Sequence, residues 1–124
     1  MLLATVDRST LCSVADLVTQ VLSVAVRDVD TGHALMVAHA SRQAVEESME
    51  HREAVFWSTS KDARDVKGST SGNFLELIAI RVNCEGNSLL YRVDVRGARA
   101  CHLADDEGRP HLSCLFRTLD PAEG

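Results

Sequence analysis

The chain has 124 residues, 45% of them hydrophobic and 25% charged, the profile of one globular domain (1–124) large enough for a single modest core. A net charge of -5 without a block of basic residues argues against a nucleic-acid polymer as partner, because phosphate neutralisation needs clustered Lys and Arg. The most apolar stretch, Leu11 to Val26, is interrupted by Asp16, Thr19 and Gln20 and falls short of a membrane span, and the start lacks a signal-peptide pattern; a soluble cytoplasmic protein is expected.

In chain order, Ser13 to Gln20 has weak helical spacing, with Ser13 as an N-cap. Val21 to Val29 reads as a strand, Asp30-Thr31-Gly32-His33 as a turn, and Ala34 to Ala40 as a strand pairing back. Ser41 caps a helix over Arg42 to His51, whose stripe is Ala44, Val45, Ser48 and Met49. Ala54 to Ser58 is a short aromatic strand. The polar stretch Thr59 to Asn73 reads as a loop without structure of its own, of a length that is often functional. Phe74 to Val82 is apolar on both faces, as a central strand would be. Glu85-Gly86-Asn87-Ser88 turns the chain into Leu89 to Val95. Beyond it an acidic loop, Leu103 to Pro110, leads into a looser tail.

Of the four cysteines, Cys84 stands at the end of the apolar run Phe74 to Val82, Cys101 directly before His102, and Cys114 shortly downstream. Thiolates are good zinc ligands, and three protein ligands leave a fourth position open for water. Buried cysteine is also an ordinary small core residue, and no C-x-x-C pair is present, so core packing and metal ligation both stay open on spacing alone. A disulfide framework does not suit a chain so rich in aliphatic residues. Cys12 stands apart. Trp57, a lone tryptophan on an apolar strand, reads as core packing.

Six patterns then fall in one order: Asp30-Thr31-Gly32, Trp57-Ser58-Thr59-Ser60-Lys61, Lys67-Gly68-Ser69-Thr70-Ser71-Gly72, Asn83-Cys84-Glu85-Gly86-Asn87, Ala100-Cys101-His102 and Ser113-Cys114-Leu115-Phe116. From about Val24 to Phe116 the chain resembles the phosphoribosyl-AMP cyclohydrolase family of histidine biosynthesis. The resemblance implies a β-rich α+β fold, a mixed or antiparallel sheet with one main helix, in an intertwined homodimer. It implies zinc held by Cys84, Cys101 and Cys114 drawn from both subunits, and hydrolytic opening of the adenine ring between N1 and C6 of a phosphoribosyl-AMP. Zinc would lower the pKa of water to about 7 and supply hydroxide for that attack. His102 would move protons beside the metal, with His111 as a weaker substitute. Trp57, Ser58, Ser60, Lys61, Lys67, Thr70, Ser71 and Gly72 would contact the nucleotide, with Arg64 adding charge.

The pattern departs from the family around Cys84. Three aspartates that hold magnesium in the family are here Asn83, Glu85 and Asn87, and neutral amides are poor magnesium ligands, so this second metal site is expected to be degenerate. Thr59 and Lys61 stand where the family has arginines, and Asp65 where it has tryptophan, which weakens the expected grip on phosphate. The Cys101 to Cys114 gap is longer than the family's by about half. Two further readings follow from these departures: a paralogue acting on another nitrogen-heterocyclic nucleotide, and a zinc-stabilised nucleotide-binding dimer without turnover.

Overall fold

The computed structural model describes residues 21–60, 63–66, 75–96, 99–101 and 103–123. The Ser13–Gln20 helix, Cys12, Lys61, Lys67, Thr70, Ser71, Gly72 and His102 lie outside them. Six strands and one helix follow in the order β1 (Leu22–Asp28), β2 (Ala34–Ala40), α1 (Arg42–His51), β3 (Val55–Ser58), β4 (Ala63–Val66), β5 (Glu76–Val82) and β6 (Ser88–Asp94), with a short 3₁₀ turn at Pro121–Glu123.

β1 alternates strictly: Leu22, Val24, Val26 and Asp28 are buried while Ser23, Ala25 and Arg27 are exposed, so one face is core and the other open. The turn into β2 is built by the Asp28 carboxylate, which accepts from Thr31 Oγ1 at 2.7 Å and from the Asp30 amide at 3.3 Å. Gly32, at φ 77°, supplies the left-handed backbone that closes it. β1 and β2 pair antiparallel, β1 and β6 parallel, and β5 and β6 antiparallel, giving a mixed sheet in the order β2-β1-β6-β5.

The helix begins where its cap predicts, with Ser41 Oγ accepting the Ala44 amide at 3.1 Å. Ala44, Val45 and Ser48 are buried, whereas Met49, expected on the same stripe, is exposed. α1 and β3 cover the inner face of the sheet, and Phe56 stacks on Tyr91 at 5.5 Å between ring centroids.

Two expectations are corrected. The stretch after Ser58 is not structureless: 63–66 form β4, paired antiparallel with β3, and Arg64 makes an ion pair with Glu47 on α1. Strand β5 lies at the edge of the sheet, with β6 inside it. Its two-sided apolar character has a local cause. Ala54 donates to the Leu75 carbonyl and Leu77 to the Arg52 carbonyl, so the start of β5 has a second backbone neighbour, and an irregularity between Leu77 and Ala79 turns Ile78 outward. The Leu103–Pro110 segment is a loop, as read from the sequence, and local bonds hold it. Ala100 and Cys101 donate to Leu112 and His111, Ala104 bridges Pro110, and the Asp105 carboxylate accepts the amides of Glu107 and Arg109, both at 2.9 Å.

Candidate functional site

A cleft of about 450 Å³ opens beside the β2 edge, between that strand and the β3–β4 hairpin. Trp57, Ser58 and Ser60 line it from the hairpin, Met36, Val37, Ala38 and His39 from β2, Asp65 from β4, and Cys114 and Leu115 from the C-terminal segment. Its volume falls within the range that holds a small organic molecule. Trp57 is half-buried and faces this space, so it is not the wholly core residue its apolar strand suggested. Ser58 and Ser60 hydroxyls lie 3.2 Å apart on the same wall.

Cys114 is fixed there by the backbone. Its amide donates to the Leu35 carbonyl at 2.7 Å, and Ser113 Oγ donates to the Ala34 carbonyl at 2.7 Å, so this segment runs along the free edge of β2. The Cys114 thiol lies 3.8 Å from the Ala100 carbonyl, which places it against the chain carrying Cys101. Cys101 is buried, and its sulfur accepts the Leu103 amide at 3.3 Å. Cys101 and Cys114 thus stand on adjacent, mutually bonded segments, and their sulfurs are soft donors of the type zinc takes.

Cys84 is elsewhere. It is exposed in the turn between β5 and β6. Ser88, just after it, sits in register with Ser23, which pairs with His39, whereas Cys114 is bonded to Leu35 outside β2. By strand spacing and rise, this places Cys84 roughly 14 Å away across the sheet and roughly 13 Å along it. Among the described residues no group of three His, Cys, Asp or Glu side chains within one chain is arranged to hold a metal.

The turn around Cys84 is closed by its own amides. Asn83 Oδ1 accepts the amides of Asn87 and Ser88, both at 2.9 Å, Asn83 Nδ2 donates to Asn87 Oδ1 at 2.7 Å, and Asn87 Nδ2 donates to Glu85 Oε2 at 3.3 Å. Asn83 Oδ1, Asn87 Oδ1 and Glu85 Oε2 each already accept an N–H, and the set holds a single carboxylate. These residues do not fit a magnesium ion.

His111, on the strand-like segment beside Cys101, stacks on Phe116 at 3.7 Å between ring centroids. Arg64 is held by Glu47 rather than aimed at the cleft. Sequence reasoning missed His39, although its period-2 alternation with the exposed Val37 on β2 was the available signal.

A mixed sheet covered by one helix, with a cleft of small-molecule size along its β2 edge, defines a small, β-rich α+β domain. The model of the phosphoribosyl-AMP cyclohydrolase family matches residues 36–109, and the chain belongs to that family. The match takes in Cys84 and Cys101 and stops short of Cys114, which lies beyond the acidic segment. The chain is 40% identical over 98 residues to the histidine biosynthesis bifunctional protein HisIE of Deinococcus radiodurans, covering 79% of this chain and 42% of that protein. It is 33% identical over 94 residues to the phosphoribosyl-AMP cyclohydrolase of Chloroherpeton thalassium, with 76% and 62% covered. With that of Halobacterium salinarum it shares 40% over 99 residues, with 80% and 71% covered. The chain thus spans between about two fifths and seven tenths of the length of these relatives. Among the described residues, no helix is long and apolar enough to cross a membrane.

Proposed function

We propose that this chain is a zinc-dependent cyclohydrolase that opens the adenine ring of phosphoribosyl-AMP between N1 and C6 in histidine biosynthesis, and that it works as a homodimer. The observation that carries the reading is the placement of Cys114, backed by Cys101, on the wall of the Trp57–Ser58–Ser60 cleft, in a chain of this family. Zinc, when bound, acidifies a coordinated water so that hydroxide is available at neutral pH. Cys101 and Cys114 of one subunit would hold it with Cys84 of the other. The separation of Cys84 from the other two within one chain supports this division, as do the exposed apolar side chains Leu103, Leu115, Phe116 and Leu119, of a kind that a partner surface covers.

Trp57 would pack against the flat purine, and Ser58 and Ser60 would give hydroxyls to its polar edge. His102, adjacent to Cys101 in sequence, would carry the proton to the departing ring nitrogen. No step needs magnesium at Asn83, Glu85 and Asn87. The comparisons do not favour a different heterocycle or a non-catalytic binding dimer.

The test is a spectroscopic ring-opening assay on phosphoribosyl-AMP with the zinc-loaded protein. Turnover that is lost on chelation, restored by zinc, lowered at least a hundredfold in Cys101→Ser, and insensitive to added magnesium is expected. Absence of turnover by soluble, fully zinc-loaded protein, together with failure to restore growth to a histidine auxotroph lacking the cyclohydrolase, rules the reading out.

A further inference from the structure

We infer that the open face of the four-stranded sheet carries a second, separate site, formed by Arg27, Arg81 and Arg92, that binds one phosphate group. The three residues are brought together by strand register. Arg27 on β1 pairs directly with Arg92 on β6, Arg92 faces Ala79 on β5, and Arg81 lies two residues further along β5 on the same face. Their side chains line a pocket of about 130 Å³ together with Asp28, Val29 and Gly32. That is space for a phosphate-sized group and well under the roughly 300 Å³ at which ordinary small-molecule pockets begin.

Like charges directly opposed across two strands are destabilising unless something neutralises them. Four other arginines have carboxylates: Arg42 meets Glu46, Arg64 meets Glu47, Arg96 meets Glu76 and Asp94, and Arg109 meets Asp105 and Glu107, while Arg99 donates to the Pro110 carbonyl and Arg117 lies over the Phe116 ring. Among the described residues, Arg27, Arg81 and Arg92 have no ion-pair partner, in a chain with 18 acidic side chains against 13 Lys and Arg. The one carboxylate at the pocket, Asp28, is buried and committed to Thr31 Oγ1 and the Asp30 amide.

The site is also preorganised. Arg27 Nε donates to the Gly32 carbonyl at 3.0 Å, which fixes its guanidinium over the turn. A Cβ on Gly32 would stand 3.0 Å from Arg27 Nη2, so the absent side chain is what lets the guanidinium lie there. Guanidinium forks match the oxygens of phosphate and bind them bidentately, a geometry lysine does not offer. Arg27, Arg81 and Arg92 are not among the residues lining the cleft that holds Trp57 and Cys114, so the inference stands apart from the ring-opening reading.

The test is isothermal titration of the zinc-loaded protein with inorganic phosphate, and separately with AMP, in a low-salt buffer free of oxyanions. Saturable phosphate binding is expected, weakening as ionic strength rises. In Arg81→Gln and Arg92→Gln it should weaken at least tenfold while the circular dichroism spectrum is unchanged, and Arg81→Lys should fall between. Arg27 is left intact because it also holds the turn. If AMP displaces phosphate and shares its dependence on Arg81 and Arg92, the natural ligand is a phosphomonoester; if only inorganic phosphate does so, it is the free ion. Either result upholds the site. No saturable phosphate binding, or binding unweakened in both glutamine variants, overturns it.

Discussion

Ser48 Oγ donates to the Ala44 carbonyl at 2.7 Å and accepts the Val55 amide at 2.9 Å, inside a core where both Ser48 and Val55 are buried. A polar side chain on the apolar face of a helix is tolerated because it satisfies a backbone group that water cannot reach. Ser48→Ala therefore leaves the Val55 N–H without its acceptor and should cost about 1–3 kcal/mol in urea unfolding, more than removing an exposed hydroxyl would. Tyr91, beside it, donates to the Val55 carbonyl at 3.3 Å, and burial pushes its phenol from the ordinary 10.0 up to about 12, the Ser48 contact pulling the other way. Because the folded state disfavours the phenolate, the stability this provides is complete below pH 10 and is lost as pH rises through the window from 10 to about 12. The chain has one tyrosine, so phenolate absorbance reports this group alone. It should appear near 12 in the folded protein and near 10 in urea; a folded-state midpoint near 10 would refute the burial argument.

The Leu103–Pro110 segment is an element whose order comes from one side chain. Asp105 receives the amides of Glu107 and Arg109, and Arg109 also reaches its carboxylate at 3.5 Å. The Arg109 amide is the first cause holding its carboxyl below the usual range, countered by desolvation and reinforced by the Glu107 amide and the Arg109 and Arg99 charges. With the folded value depressed, the turn keeps this support above the ordinary carboxylate range and loses it as pH falls through the lowered value. Asp105→Ala should raise hydrogen exchange at Glu107 and Arg109 several-fold and leave β6 unchanged. Little of this was legible beforehand, because a run of acidic residues reads as solvated loop until the i+2 and i+4 amides are seen to converge on the first of them. The β4 strand was hidden for a similar reason: Ala63-Arg64-Asp65-Val66 has no apolar run, and its order comes from pairing with β3 and from Glu47. By contrast β2 and α1 were legible to the residue, since Gly32 and Ser41 fix their starts through local geometry that needs no tertiary partner.

For the whole molecule, the cysteines pose a question of connectivity. The family pattern implied one metal whose three cysteines come from both subunits, and in the fold of a single chain Cys84 lies three strand spacings and about four residues of rise from Cys114. No local rearrangement spans that gap, because Cys84 is tied into the β5–β6 turn by the Asn83 and Asn87 amides and Cys114 is tied to β2. Sites shared between two chains make a prediction that sites within one chain do not. Cys84→Ser and Cys101→Ser homodimers each lack a ligand at every site and should bind little zinc tightly. A heterodimer of the two, purified through different affinity tags after co-expression, reunites Cys84 of one chain with Cys101 and Cys114 of the other at one site and leaves the second site without either. It should therefore recover half the zinc of the unsubstituted dimer and half its turnover. Recovery of zinc without turnover would keep the shared site and count against the ring-opening reading, whereas a heterodimer as empty as its parents would return all three ligands to one chain.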